Sequence, residues 1–191
     1  MNKHTLIQQK NNGKTIALLW FTGLFLLLLS VGCDPQENST STMPLTPPAP
    51  GITLSDLDVT SGQTIYVPAY SEMYIMRDRT LDLAVTLAIH NTDFEHPIIL
   101  TSVRYYDTQG QLLREYLMEP YQLDPLASTD FFVDANEQSG GLGTNFIVEW
   151  VAEEPVYEPI VEAIMLNTSG NQGISLTSYG RVINQIAPQE N

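Results

Sequence analysis

The stretch "TLDLAVTLAIHNTD", residues 80–93, alternates strictly along its length. Leu81, Leu83, Val85, Leu87 and Ile89 are interleaved with Asp82, Ala84, Thr86, Ala88 and His90. A period of two is that of a strand with one face in a core and the other toward water; a helix would repeat every 3.6 residues. Asn91-Thr92-Asp93 closes the run with residues that favour turns. Such a strand cannot cover its own apolar face, so the rest of the chain has to supply further strands and a second layer.

The remaining sequence offers them. "QTIYVPAY" (63–70) reads as a strand that Pro68 demotes to a sheet edge, because proline has no N–H for the ladder. "HPIILTSVRYYD" (96–107) is β-rich and aromatic. It leads through Asp107-Thr108-Gln109-Gly110, where Gly110 can take a positive φ, into "QLLREYL" (111–117), which together make a hairpin. "PLASTDFFVD" (125–134), "TNFIVEWVA" (144–152), "IVEAIMLNT" (160–168) and "GISLTSYGRVI" (173–183) complete the set. Phe146, Val148 and Trp150 share one face of their segment. Helical periodicity is weak throughout and arguable only over 111–118. About eight short strands with closely spaced turns predict an all-β chain, an antiparallel immunoglobulin/fibronectin-like β-sandwich. No repeat of fixed period points to a solenoid or propeller.

The first 32 residues have a different character. Residues 1–14 are polar and basic, and Thr15 to Gly32 is uncharged and apolar. That is the pattern of a signal peptide, and the run is also just long enough to span a bilayer. Val31-Gly32-Cys33 ends it, and Cys33 is the single cysteine of the chain. The ending resembles the bacterial lipobox, with Ser30 where the commonest motif has Leu. The resemblance implies cleavage between Gly32 and Cys33, a diacylglyceryl group on the thiol and a fatty acyl group such as palmitate on the new amine. Two acyl chains anchor a protein stably where one does not. The competing expectation is an uncleaved anchor with an incidental thiol. Both place residues 34–191 outside the cytoplasm. In enteric bacteria Asp after the lipidated cysteine favours the periplasmic side of the inner membrane, and Asp34 matches that.

"DPQENSTSTMPLTPPAPGI" (34–52) has too little apolar surface to offset its ordering entropy and is expected to be a tether. The predicted organisation is a signal peptide over 1–32, the lipidated cysteine and tether over 33–53, a β-sandwich over 54–187 and a tail over 188–191. All three lysines (Lys3, Lys10, Lys14) lie in the leader, and no acid precedes Asp34. From Cys33 onward five arginines face 22 acids, a formal charge of −17. Such a body is repelled by nucleic-acid phosphates and bare anionic headgroups. Without lysine it also has no Schiff-base or P-loop chemistry.

Six phrases, "QTIYVPAYSEMY", "LAVTLAIHNTD", "ILTSVRYYDTQGQLLREYL", "PLASTDFFVD", "NFIVEWVAEEPVYEPIVEAIM" and "QGISLTSYGRVI", resemble one uncharacterised bacterial, largely cyanobacterial, lipoprotein family: the domain-of-unknown-function family numbered 3124. The resemblance covers most of residues 63–183. It implies a secreted or lipid-anchored domain and brings no functional residues. Asn91-Thr92, Pro97-Ile98-Ile99 and Gly110 are also similar to sandwich domains of the late-embryogenesis, water-stress type, with Thr92 replacing a proline. That likeness speaks to fold class alone.

Several clusters carry chemistry worth testing. His90 and His96 could converge across a turn and bind metal with Asp93 or Glu95, although two histidines without further ligands are more often loop residues in water. Asp124, Asp130, Asp134 and Glu137 form an acidic group without the calcium-loop spacing, so a solvated rim is the default. Ser139 to Gly143 lacks the lysine and the helix of a phosphate cradle. Glu149 to Pro159, "EWVAEEPVYEP", combines carboxylates with Trp150 and Tyr157. Alternation places Glu149 and Trp150 on opposite faces, which leaves Tyr157, Glu153 and Glu154 as candidate binding residues. No catalytic motif and no cofactor motif occurs. The expected function is a lipid-anchored envelope module that binds a protein or small ligand. The alternatives are an envelope hydrolase with a carboxylate or metal site, and a stress-related structural module.

Overall fold

In a computed structural model of the protein, the structure describes residues 52–137, 139–169 and 173–186. The leader, Cys33, most of the tether and the tail from 187 onward lie outside the described residues. A single 3-10 turn, Leu54–Asp56, precedes twelve strands, and no α-helix occurs among the described residues. The strands are β1 (Ser61–Pro68), β2 (Glu72–Met76), β3 (Arg79–Asp82), β4 (Ala84–His90), β5 (Ile98–Tyr106) and β6 (Leu112–Glu115). β7 (Tyr121–Leu123), β8 (Ser128–Val133), β9 (Asn145–Ala152), β10 (Ile160–Asn167), β11 (Ile174–Tyr179) and β12 (Arg181–Ile186) follow.

Every pairing is antiparallel. One sheet runs β12-β1-β9-β5-β6, with β7 also on β5; a second runs β11-β10-β4-β8; β2 and β3 form a separate hairpin. Neither main sheet closes on itself. β4 and β8 are neighbours in the four-stranded sheet, and the chain crosses to the other sheet directly after each of them, where β5 and β9 are again neighbours. Two successive crossings of this kind interlock the layers, because neither pair can separate without unpairing the other sheet.

The alternation read from the sequence is the alternation of burial. Leu83, Val85, Leu87 and Ile89 are fully buried, as are Phe146, Val148, Ala163 and Met165, with Val161 nearly so. Residues of both main sheets merge into one core. Each buried Leu, Ile or Val contributes about 1.5–3 kcal/mol. Tyr105 stacks on Phe146 at 4.8 Å between ring centroids within that core.

Two expectations need correction. Twelve strands form where about eight were expected. Leu83 breaks one predicted strand into β3 and β4, and Gly180 breaks another into β11 and β12; β2 and β7 were not foreseen. β1 is not an edge: it lies between β12 and β9. Pro68 is tolerated because it is the last residue of β1, past the end of the β12 ladder, which reaches only Tyr66. Residues 111–117 supply the second strand of the predicted hairpin, β6 pairing with β5. The hairpin turn before it does use glycine as expected, with Gly110 at φ +78°.

Candidate functional site

The β4–β5 and β9–β10 loops emerge at the same end of the molecule, since β4 ends where β10 begins (His90 opposite Ile160) and β9 ends opposite the start of β1. Buried Asn91 organises the first loop. Its Nδ2 donates toward the carbonyls of His96 (2.9 Å), Leu123 (3.1 Å) and Asp124 (3.1 Å), and its Oδ1 accepts from the Asp93 N–H. An amide at a strand end thus satisfies backbone groups that the loop would otherwise leave unpaired.

Asp93 joins the two loops. Its Oδ1 accepts the N–H groups of Glu95 and His96, both at 2.9 Å, and its Oδ2 accepts the N–H of Tyr157 at 3.1 Å. Asp93 is 5% exposed. The Glu95, His96 and Tyr157 N–H groups together lower its pKa from 3.8 to about 2, and burial, which works the other way, is outweighed. Thr92 adds a second tie, its hydroxyl donating to the Glu158 carbonyl at 2.8 Å. From the core side, Trp150 Nε1 donates to Gln63 Oε1 (3.3 Å) and Gln63 Nε2 donates to Glu158 Oε1 (2.6 Å). The polar edge of the core tryptophan therefore steadies the second loop.

Between the loops lies an open cleft of about 600 Å³ lined by Asp93, Phe94, Glu95, His96, Pro155, Val156 and Tyr157. Phe94 is 73% exposed and Tyr157 is 69% exposed. Neither ring stacks on another aromatic among the described residues. Rigid loop backbones holding two solvent-facing rings form a surface on which a flat or apolar group can stack.

The structure brings together only part of the residues singled out from sequence. Tyr157 lines the cleft. Glu153 and Glu154 are exposed on the same loop outside the lining, and Glu153 Oε1 accepts the Asp58 N–H at 3.2 Å. His96 lines the cleft with Nδ1 3.5 Å from Asp93 Oδ1, whereas His90 sits on β4 with Nδ1 2.7 Å from the Ser128 hydroxyl. The two histidines thus have separate partners, and no group of three or more His, Cys, Asp or Glu is placed to hold a metal among the described residues. Asp134 closes a local turn onto Asn136, and Glu137 pairs with Arg114 at 2.9 Å. Glu149 pairs with Arg104 at 2.7 Å on the outer face, opposite to core Trp150. Gly140 packs beside Tyr105 and Ser71, so part of Ser139–Gly143 is a packing element. Phe94 and the bridging role of Asp93 were not foreseen. The available signal was an aromatic residue set inside a run of turn formers, "NTDFEHP".

A family model described as "Protein of unknown function (DUF3124)" matches residues 62–183. No curated protein matches the chain. Among solved structures, the chain is similar to that titled "Crystal Structure of Thermotoga maritima 1070", at 14% identity and a TM-score of 0.36, over 62% of this chain and 92% of that one.

Proposed function

The chain belongs to the DUF3124 family, and we propose that it is a lipid-anchored binding module of the bacterial envelope whose ligand or partner docks in the cleft between the β4–β5 and β9–β10 loops. The observation that carries the binding reading is the pair of exposed rings, Phe94 and Tyr157, displayed in a cleft by loops that Asp93 locks together. Aromatic residues on a rigid frame give contact area at low entropic cost. The interlocked crossings after β4 and β8 favour the immunoglobulin/fibronectin type of sandwich, in which loops at one end of the sheets commonly form the binding surface.

The anchoring part rests on the leader and on Cys33. In it, the mature chain begins at Cys33, carries two or three acyl chains, and uses residues 34–53 to hold an acidic domain off an acidic membrane. Its site is the periplasmic face of the inner membrane. The intact mass of protein extracted from membranes tests this: a chain starting at Cys33 with diacylglycerol is expected, and a free thiol on a full-length chain overturns it.

The cleft is tested by following backbone amide shifts of residues 54–187 against a panel of sugars, amino acids, organic acids and organic amines. At least one class is expected to move residues 93–97 and 153–158 saturably. No response in those loops to any class would remove the reading.

A further inference from the structure

Charge is segregated along the sandwich, and the cleft lies at its acidic, arginine-free end. Asp58, Asp93, Glu95, Glu153, Glu154 and Glu158 all belong to the loops that meet there. No arginine does. Arg104 stands opposite Ile147, Arg181 stands opposite Tyr66, which itself faces Ile147, and Arg114 stands opposite Tyr105 beside Phe146. Arg77 and Arg79 belong to the β2–β3 hairpin, which joins the body near Thr144, before β9 begins. The Arg104 guanidinium reaches nearest, 2.7 Å from Glu149, and the three residue steps from Glu149 to Ala152 span about 10 Å of strand. That is slightly more than the screening length of about 8 Å at physiological ionic strength. Arg104 and Arg114 are moreover paired with Glu149 and Glu137. No arginine is therefore paired with a carboxylate of the cleft. His96, the one basic side chain in the lining, is turned to Asp93.

We infer that the cleft takes a cationic group, an ammonium or guanidinium, stacked against Phe94 and Tyr157 with Glu95 as its counter-charge. This rests on the cleft being the binding site and adds the chemistry of what it binds. Asp93 does not serve as the contact counter-charge, because it is 5% exposed and its carboxylate is turned inward to the Glu95, His96 and Tyr157 N–H groups. Glu95 is exposed and lines the cleft. A cation over an aromatic face is attracted by the ring quadrupole, and the attraction grows with desolvation. The acidic end also concentrates cations from solution before contact.

The test compares choline with its neutral isostere 3,3-dimethylbutanol, and an arginine-containing peptide with the same peptide carrying citrulline, on the body spanning residues 33–191 with the substitution Cys33→Ser. Binding is followed by amide shifts of the two loops. Choline, the arginine peptide or both are expected to bind saturably and more weakly as NaCl is raised, with each neutral counterpart weaker. Phe94→Leu and Tyr157→Leu, both at exposed positions, are each expected to weaken binding roughly two- to thirtyfold, the range of cation–π contacts. Glu95→Gln is expected to flatten the salt dependence. Choline alone binding assigns a free organic amine; the peptide alone binding assigns a partner's side chain; both support the inference. Equal binding of the neutral counterparts overturns it, as does cation binding elsewhere on the body. Neutral solutes filling the cleft while cations do not would sink this inference and leave the cleft reading standing. No solute of either class in the cleft would sink both.

Discussion

At Asp93 three backbone N–H groups converge on one carboxylate, and the consequences are measurable in acid. Its pKa is held at about 2 in the folded chain against 3.8 for the free group. A depressed carboxylate adds stability above its unfolded value and loses that addition as pH falls through the folded one. Asp93→Asn is therefore expected to lower the melting temperature at pH 7. The gap from the native protein should close as pH drops from 3.8 toward 2, in melts at constant ionic strength. The asparagine would also turn an N–H donor toward the Tyr157 or Glu95/His96 donors, leaving an unpaired contact. Leu126, next to the same network, donates its N–H to the Asp93 carbonyl at 3.1 Å and sits at φ +58° with a 58% exposed side chain. A branched side chain at positive φ costs about 1–2 kcal/mol, and asparagine tolerates that region better. Leu126→Asn should raise stability by about 0.5–1 kcal/mol in denaturant unfolding, since little burial is lost.

At the level of elements, period two identified the core strands, and the register decided how they pair. β1 shows why the second was hidden. Pro68 argued for an edge, yet β1 is flanked on both sides because the proline stands beyond the shorter ladder. β2 escaped notice because its residues do not alternate into a core, exposing Met73, Tyr74, Ile75 and Met76, and β7 because at three residues it is too short to show a period, although Leu123 enters the core. Gly62 marks where three strands press together, with Val151 on one side and Ile186 on the other. A Cβ there would lie 2.6 Å from the Trp150 carbonyl oxygen, a backbone atom that cannot rotate away. Gly62→Ala should cost about 1–3 kcal/mol by equilibrium unfolding, as overpacking does. Its effect should appear first in the β9–β10 loop at that end of the sheet.

Over the whole molecule the dominant quantity is the charge of −17 from Cys33 onward. Self-repulsion destabilises a compact state and is screened by salt. The body's melting temperature is expected to rise between low and high NaCl at pH 7; a melting temperature indifferent to salt would mean that the acids are compensated locally. Arg104 with Glu149 and Arg114 with Glu137 compensate in this way, but neither pair includes a residue that lines the cleft. The uneven distribution arises from the fold, because the arginines are scattered in sequence between positions 77 and 181.

Composition and local pattern sufficed to identify an all-β chain, its turns, the core face of residues 83–89 and the opposite facing of Glu149 and Trp150. These are properties of neighbours in sequence: side chains in a strand alternate whatever the strand pairs with. The cleft is different in kind. Asp93 and Tyr157 are 64 residues apart, and Gln63 and Glu158 are 95 apart. No local pattern reports which loops share an end of a sandwich, or that His90 and His96 face different partners. Those facts were decided by two sheets closing over one core, because burying the apolar faces of β4 and β9 leaves a single arrangement of the loops that follow them.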